Sequence, residues 1–587
     1  MKSKLITGAI ALLTIIFVGC EDVKFGDAFL EKAQSEEINL DTVFSKKIYA
    51  EQALSQVYMS LPYGLLTGEK DGKEKLGLDL LECLTDLNST TLTYGGGITE
   101  YYSGTMNSST NPSKAKYSFI SDGGWKGIRD AYVFIENIDR VPDMTSEDKL
   151  LRKAEAKMII AIHYAEMFRH FGGLPLVTKS YAPSDVPDLK RMTAEQTLNH
   201  IISLLDEVST VLPWTIANPV VDDGRMTAAG AMGLKIRILL FAASPLFNDD
   251  TPFLDGKAAD DKLVWFGSKK NTRWNDVVSA CEAFISRLNA EGGYMLVNNT
   301  GTPRTDFRKA YYERNNAEVL ISTRKGYKKE DVLGTFFTNT AIGLPTLDYV
   351  DMFPMADGSN FDWNNPVHAE HPFFDVSGNP VRDPRLYESV LINGDDYQGR
   401  KAELYIGGRE RTVENRSSTG FMMRKFRLDE ESATGTVVHW PYLRLPEIFL
   451  TYAEALNEAN GAPTELAYNM LDKTRDRVGV GRVPRSLDHI AFREAVLRER
   501  ALEFGYEEVR FFDMIRWKRD DIFRKKLHGL TINRTVPPDN NVVLSYEKYE
   551  ILQIRDWQNR WNTKWYLTAF PIDEINKGYG LIQNPGW

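Results

Sequence analysis

From Lys46 to Lys518 the chain repeatedly places apolar side chains at three- and four-residue steps, and this periodicity most constrains its fold. The first run carries Ile48, Ala53, Leu54, Val57, Tyr58 and Leu61 and stops at Pro62 and Gly64. The spacing predicts further helices over 126–140, 146–171, 193–212, 227–247 and 272–289. The second of these stops at Gly172-Gly173 before Pro175. Thr193 and Gln196 have capping-box spacing, and the fourth helix is rich in small residues that permit close approach. Helices return over 445–459, 464–478, 487–506 and 507–518. Paired helices of this length predict a mainly α, tetratricopeptide-type helical-repeat scaffold, although no strict 34-residue period is visible.

Two stretches break the pattern. Residues 85–124 are rich in Thr, Ser, Asn and Gly and read as one long loop, a place where function concentrates. Residues 292–440 mix Gly, Pro, Asn, Asp and aromatics with short β-type runs such as 318–323, and read as an irregular loop-rich subdomain. The tail 540–587 is aromatic-rich and expected to end in short extended segments.

The N-terminus has Lys2 and Lys4, then an apolar stretch from Leu5 to Val18 that is short for a bilayer span. It reads as a signal peptide over 1–19. The small Gly19 directly before Cys20 resembles a bacterial lipobox, which makes Cys20 the expected lipidated N-terminus and 20–45 a tether. Several acyl chains give stable anchoring, since each buried CH₂ contributes about 0.8 kcal/mol. Glu21 and Asp22 resemble an export signal to the outer face of the outer membrane. No later run reaches 18 apolar residues, so the body is expected to be soluble and tethered. The expected organisation is therefore signal peptide 1–19, tether 20–45, helical part 46–291 containing loop 85–124, irregular subdomain 292–440, and helices with an extended tail over 441–587.

The net charge of −10, made more negative by loss of the two N-terminal lysines, argues against a nucleic-acid partner. Three Cys cannot build a disulfide scaffold, although Cys83 and Cys281 are available to pair in an oxidising compartment. His368 and His371 lie close but lack a Glu-bearing helix, and no phosphate-cradling Gly-Lys-Ser/Thr loop or Gly-x-Ser-x-Gly elbow occurs. Asp222-Asp223 and Asn248-Asp249-Asp250 have calcium-type oxygen ligands but read more simply as solvated acidic loops. No metal or other cofactor is expected.

Several motifs, in order, resemble the SusD/RagB family of outer-membrane nutrient-binding lipoproteins. They are Phe171-Gly-Gly-Leu-Pro-Leu-Val177, Arg225-Met-Thr-Ala-Ala-Gly-Ala231 running on to Arg237 and Ala242-Ala-Ser-Pro245, Met352-Phe-Pro-Met-Ala-Asp-Gly358, and Arg382-Asp-Pro-Arg-Leu386. Further on come Leu443-Arg-Leu-Pro-Glu-Ile448, Tyr452-Ala-Glu-Ala-Leu-Asn457, and Arg498-Glu-Arg-Ala-Leu-Glu-Phe504 with Glu507, Arg510, Asp513 and Arg516-Trp517. The chain closes on Phe570-Pro-Ile572 and Gln583-Asn-Pro-Gly-Trp587. These motifs read as architectural. Glu499, Glu503 and Glu507 share one helical face, with Arg500, Arg510 and Arg516 as expected partners, and Tyr452, Glu454 and Asn457 look like packing and capping residues. Carboxylates one helical turn apart are badly placed to flank a glycosidic bond.

The resemblance implies non-catalytic capture of a glycan at the cell surface and delivery to a TonB-dependent, SusC-like transporter. In the family the ligand site lies on variable loops. A sugar offers an apolar ring face to an aromatic side chain and a hydroxyl rim to polar groups. On that basis the expected ligand residues are Asp86, Asn88, Tyr94, Tyr101 and Tyr102 in the first loop, Tyr327, Phe337 and Trp363 in the second region, and Trp265 beside Phe266. Burial against the scaffold or contact with the transporter competes for each aromatic, and Trp125 reads as helix-start packing. The alternatives are a peptide or protein-derived ligand on the same scaffold, a surface glycosidase, and a transporter lid without affinity of its own.

Overall fold

A computed structural model describes residues 40–65, 80–91, 97–182, 185, 188–325, 343–411, 418–426, 439–538, 542–551 and 556–587. The signal segment, Cys20, most of the tether, Tyr94, Tyr327 and Phe337 lie outside these residues.

The periodic segments form the expected helices: α1 Lys47–Tyr58, α2 Gly124–Asn137, α3 Ser146–Phe171, α4 Ala194–Ser209, α5 Ala228–Ala243 and α6 Thr272–Glu291. After α7, Pro303–Tyr312, and the short α8, Pro384–Ser389, come α9 Leu445–Asn460, α10 Glu465–Val478, α11 His489–Phe504 and α12 Arg510–Arg516. Local chemistry sets their ends. The Thr145 side chain accepts from the Asp148 N–H at the start of α3, whose first turn is acidic and last turn basic, and Gly172 at φ 80 ends it. The capping box at Thr193 and Gln196 forms as expected.

The helices stack in series: α2 on α3, α3 on α4, α4 on α5, α5 on α6, α6 on α9, and α9 on both α10 and α11. Helix α5 is buried on almost every side, which explains its small residues. A Cβ added at Gly230 would sit 2.9 Å from the Leu320 carbonyl oxygen, and one at Gly233 would sit 2.7 Å from the Leu443 side chain. The close approach of the strand backbone therefore needs glycine at 230, while at 233 a Cβ would push the Leu443 side chain aside.

The sheets are small two-stranded pairs. In chain order the strands are β1 Asn88–Ser89, β2 Val319–Thr323, β3 Leu344–Pro345, β4 Val390–Leu391, β5 Asp396–Tyr397, β6 Arg400–Lys401, β7 Met422–Met423, β8 Trp440–Arg444, β9 His528–Thr535 and β10 Val543–Glu550. All pairs are antiparallel: β1–β3, β2–β8, β4–β7, β5–β6 and the β9–β10 hairpin. The tail holds the second strand of that hairpin and then short helical turns at Trp557–Arg560 and Ile572–Asn576.

Residues 85–124 differ from expectation. Their described part holds β1, a short helix at Ile98–Tyr102 and a largely buried run at 115–119. Long-range bonds draw it inward: β1 pairs with β3, and the Thr346 hydroxyl donates to the Asp86 carbonyl at 2.6 Å.

The irregular region is bolted to the C-terminal helices by buried charge. Arg385 reaches Asp383 (2.7 Å), Glu499 (2.7 Å) and Glu503 (3.1 Å). Arg444 reaches Glu318 (2.6 Å), Glu503 (3.0 Å) and Glu507 (2.7 Å). Arg477 meets Glu318 and Glu503, Arg475 meets Glu499, and Lys425 meets Glu507. These five cations and five carboxylates are all buried. Burial costs each charge its hydration, and only this mutual pairing offsets the cost. The ion-pair role expected for Glu499, Glu503 and Glu507 is therefore present, but the expected partners are not the real ones. Arg500 binds Asp513, Arg510 binds Asp86, and Arg516 binds Glu454 and Asp513. Those arginines are neighbours in sequence, yet other elements bring nearer guanidinium groups to the glutamates.

Glu454 also accepts from the Trp517 indole, Asn457 donates to the His489 carbonyl, and the Tyr452 hydroxyl reaches Glu282, so these three do tie helices together. Cys83 and Cys281 are free, buried thiols. Among the described residues no helix is long and apolar enough to cross a membrane.

Candidate functional site

A cleft of about 1160 Å³ opens in the irregular region. This is above the roughly 300–1,000 Å³ of small-molecule pockets and leaves room for several linked rings. The first turn of α7 supplies Thr302, Pro303, Arg304 and Thr305, with Arg308 one turn on. Pro303 fits the first turn because its missing N–H would be unpaired there anyway, and the Thr302 side chain accepts from the Thr305 N–H. The opposite wall is the β5–β6 hairpin with Gln398 and Gly399 at its tip. Both tip residues have positive φ, 50° and 74°, as a two-residue type I′ turn demands. Arg382, Tyr387 and Glu388 form the floor around α8, and Arg400, Arg409 and Arg424 complete the lining.

Nonlocal ion pairs hold the walls together. Arg304 forks onto Asp395 with two bonds of 3.0 Å and reaches Glu388 at 2.8 Å. Arg308 holds both Glu388 oxygens, at 2.7 and 3.0 Å, and Arg424 reaches Asp395 at 2.6 Å. Arg400 pairs with Glu410. Burial works against the Arg304 charge, but Asp395 and Glu388 outweigh it and raise its pKa. Arg382 is held differently. Its guanidinium donates to the carbonyls of Val350, Phe353 and Pro372 and lies 3.9 Å over the Phe361 ring. Burial lowers its pKa to about 10, so it is cationic at neutral pH.

Among the described residues, none of the sequence-predicted ligand residues lines this cleft. Asp86, Asn88, Tyr101 and Tyr102 are corrected to structural roles. The Asp86 carboxylate is buried and clamped by Arg510 at 2.9 and 2.8 Å, because a buried carboxylate needs a cationic partner. Asn88 sits in β1 and donates to the Cys83 sulfur. Tyr101 and Tyr102 have no exposed surface: the Tyr101 ring meets Trp565 edge-on and the Tyr102 hydroxyl donates to the Cys83 carbonyl at 2.6 Å. Trp265 and Trp363 are half-buried. Their indole N–H groups turn inward, to the Ala259 carbonyl at 2.9 Å and to the Asp351 carboxylate at 3.1–3.2 Å. Burial pushes Asp351 up to about 6. Trp363 packs edge-on against Phe361, one ring away from Arg382. Trp125 packs edge-on against Phe119 and Tyr164 at the start of α2, as expected.

Three carboxylates of the acidic loops pair with cations. Asp222 pairs with Arg225, Asp223 with Arg314 and Arg324, and Asp249 with Lys518. The cleft arginines lie outside the loops and aromatic positions that the sugar-stacking expectation favoured. A signal existed: Arg304 and Arg308 stand four apart behind Thr302-Pro303, a helix start that aims both at one face.

Comparison with known proteins gives this architecture its class. The SusD family matches residues 307–587, so the chain is SusD-family sequence over that span. The resemblance drawn from the motifs is thereby upheld. The chain is 22% identical to the SusD-like protein P25 of Formosa agariphila over 526 residues, 84% of this chain and 86% of that protein. It is 22% identical to the starch-binding protein SusD of Bacteroides thetaiotaomicron over 473 residues, 77% of this chain and 75% of that protein. The crystal structure of a SusD-like protein from Bacteroides fragilis superposes with a TM-score of 0.71 at 22% identity, over 95% of this chain and all of that one.

Proposed function

We propose that this chain is a cell-surface glycan-binding protein that captures a polysaccharide or oligosaccharide, performs no chemistry on it, and passes it to a TonB-dependent, SusC-like transporter. The observation that carries the reading is an open cleft large enough for several sugar rings, set in the irregular region of a SusD-like body. The starch-binding name of one relative supports a saccharide ligand. The non-catalytic part rests on the lining carboxylates. Both Glu388 oxygens are tied by Arg304 and Arg308, and Asp396 pairs with Lys401 at 2.8 Å. A glycosidase needs two carboxyl groups facing each other across the scissile bond.

Trp265 and Trp363, with Tyr94, Tyr327 and Phe337 outside the described residues, stay as candidates for further ligand contacts on loops. Lipidation at Cys20 is the proposed anchor, holding the body at the outer-membrane surface, and the divisions 20–45, 46–291, 292–440 and 441–587 are proposed as parts of one body.

Binding titrations with neutral and acidic polysaccharides test the reading. Saturable binding to at least one glycan, with no release of product, is expected. Binding to peptides and to no glycan overturns it in favour of a peptide-nutrient binder. Product release from a bound glycan overturns the non-catalytic part.

A further inference from the structure

The cleft is built from arginine where a neutral-sugar site would present ring faces. Its lining holds Arg304, Arg308, Arg382, Arg400, Arg409 and Arg424 against the carboxylates Glu388 and Asp396. Its two aromatic residues, Tyr387 and Tyr397, are 0% and 3% exposed, so neither offers a face for a sugar to stack on. Arg304 and Arg308 share Glu388, Arg304 and Arg424 share Asp395, and Arg400 pairs with Glu410. Arg382 adds a cation whose hydrogen bonds go to neutral carbonyls. Asp351, the acid nearest in influence to Arg382, is bonded to Trp363 and is not part of the lining. The partial positive charge at the N-terminus of α7 faces the same space. Among the described lining residues, six arginines therefore stand against two carboxylates, on a chain whose net charge is −10. The side chains of Arg304, Arg308 and Arg400 remain about a quarter exposed. A guanidinium fork matches the paired oxygens of a carboxylate or sulfate ester.

We infer that the cleft selects acidic saccharides, those bearing carboxylate or sulfate-ester groups, over neutral ones. The inference rests on the glycan-binding reading and narrows it. The chain without its signal segment is titrated with an oligouronate, a sulfated galactan oligosaccharide and a neutral β-glucan oligosaccharide, at low and at 0.3 M salt. At least one of the two acidic ligands is expected to bind more tightly than the neutral one, and the comparison between them identifies the anion. Its affinity should fall with salt, because a partly exposed ionic contact is screened. Arg308→Gln and, separately, the more exposed Arg409→Gln should weaken it about tenfold each, the scale of one charged hydrogen bond. Arg308→Lys should lie between, and unchanged melting temperatures would confirm that the variants are folded. A neutral glycan bound as tightly as the acidic ones, or indifference to both substitutions, overturns the selection while leaving glycan binding intact. Failure to bind any of the three at either salt, with neutral polysaccharides bound in the wider panel, likewise overturns it. Absence of binding to every glycan removes both readings.

Discussion

Arg304 holds Asp395 with two parallel hydrogen bonds of 3.0 Å across 91 residues of chain, joining the start of α7 to the β5–β6 hairpin on the far wall of the cleft. Replacing Arg304 with Ala leaves, among the described cations, Arg424 on Asp395 and Arg308 on Glu388. A thermal or urea melt should show a loss of about 1–3 kcal/mol, since the pair is partly exposed. Ligand affinity should fall further than the loss of one cation explains, because the two walls separate.

Glu503 is the most contested anion in the buried network, shared by Arg385, Arg444 and Arg477. Burial raises its pKa, but the three guanidinium groups outweigh it and hold the carboxyl well below the usual range. A depressed carboxylate stabilises the fold above its unfolded pKa of about 4.5 and loses that contribution as pH falls. Glu503→Gln should therefore cost about 3–5 kcal/mol at pH 7. The gap from the parent protein should narrow as the pH drops below 4.5, read as melting temperature against pH.

Glu82 behaves in the opposite sense. Burial, reinforced by the Glu508 charge, pushes it up to about 8, although the Glu508 N–H donates to it at 2.6 Å. A raised carboxyl adds stability below about pH 4.5 and loses it as pH rises toward 8. Glu82→Gln keeps the acceptor and removes the charge. The variant should match the parent protein near pH 4.5 and exceed it by about 2–4 kcal/mol above pH 8.

Tyr102 tests the revised role of the first loop. Its buried hydroxyl donates to the Cys83 carbonyl, so Tyr102→Phe should lower stability by about 0.5–1.5 kcal/mol in a melt. Glycan affinity, measured by titration, should not change.

Cys83 and Cys281 should both resist a thiol reagent in the native state and react on denaturation, and a reductant should leave the melt unchanged. Burial pushes the Cys281 thiol up, so little thiolate is present to react.

Helices were the most legible level. The run from Ser146 to Phe171 is bounded by its own residues, Thr145 before it and Gly172 after it, and the structure returns the same span. Local hydrogen bonds and the side-chain period decide such an element, and both are written in consecutive residues. The candidate site was far less legible. Tyr101 and Tyr102 sit in a polar, glycine-rich stretch, yet β1 pairing with β3 folds that stretch into the core.

By itself, then, the sequence determined a helical SusD-like body and the ion-pairing role of its glutamate-bearing helix. Tertiary structure alone decided which cations serve those glutamates and which loop residues face solvent. It also decided that Arg304, Arg382, Arg400 and Arg424 converge on one cleft. The reason is physical: a helix is satisfied within four residues, whereas a buried or clustered charge takes whichever opposite charge the packed chain brings nearest.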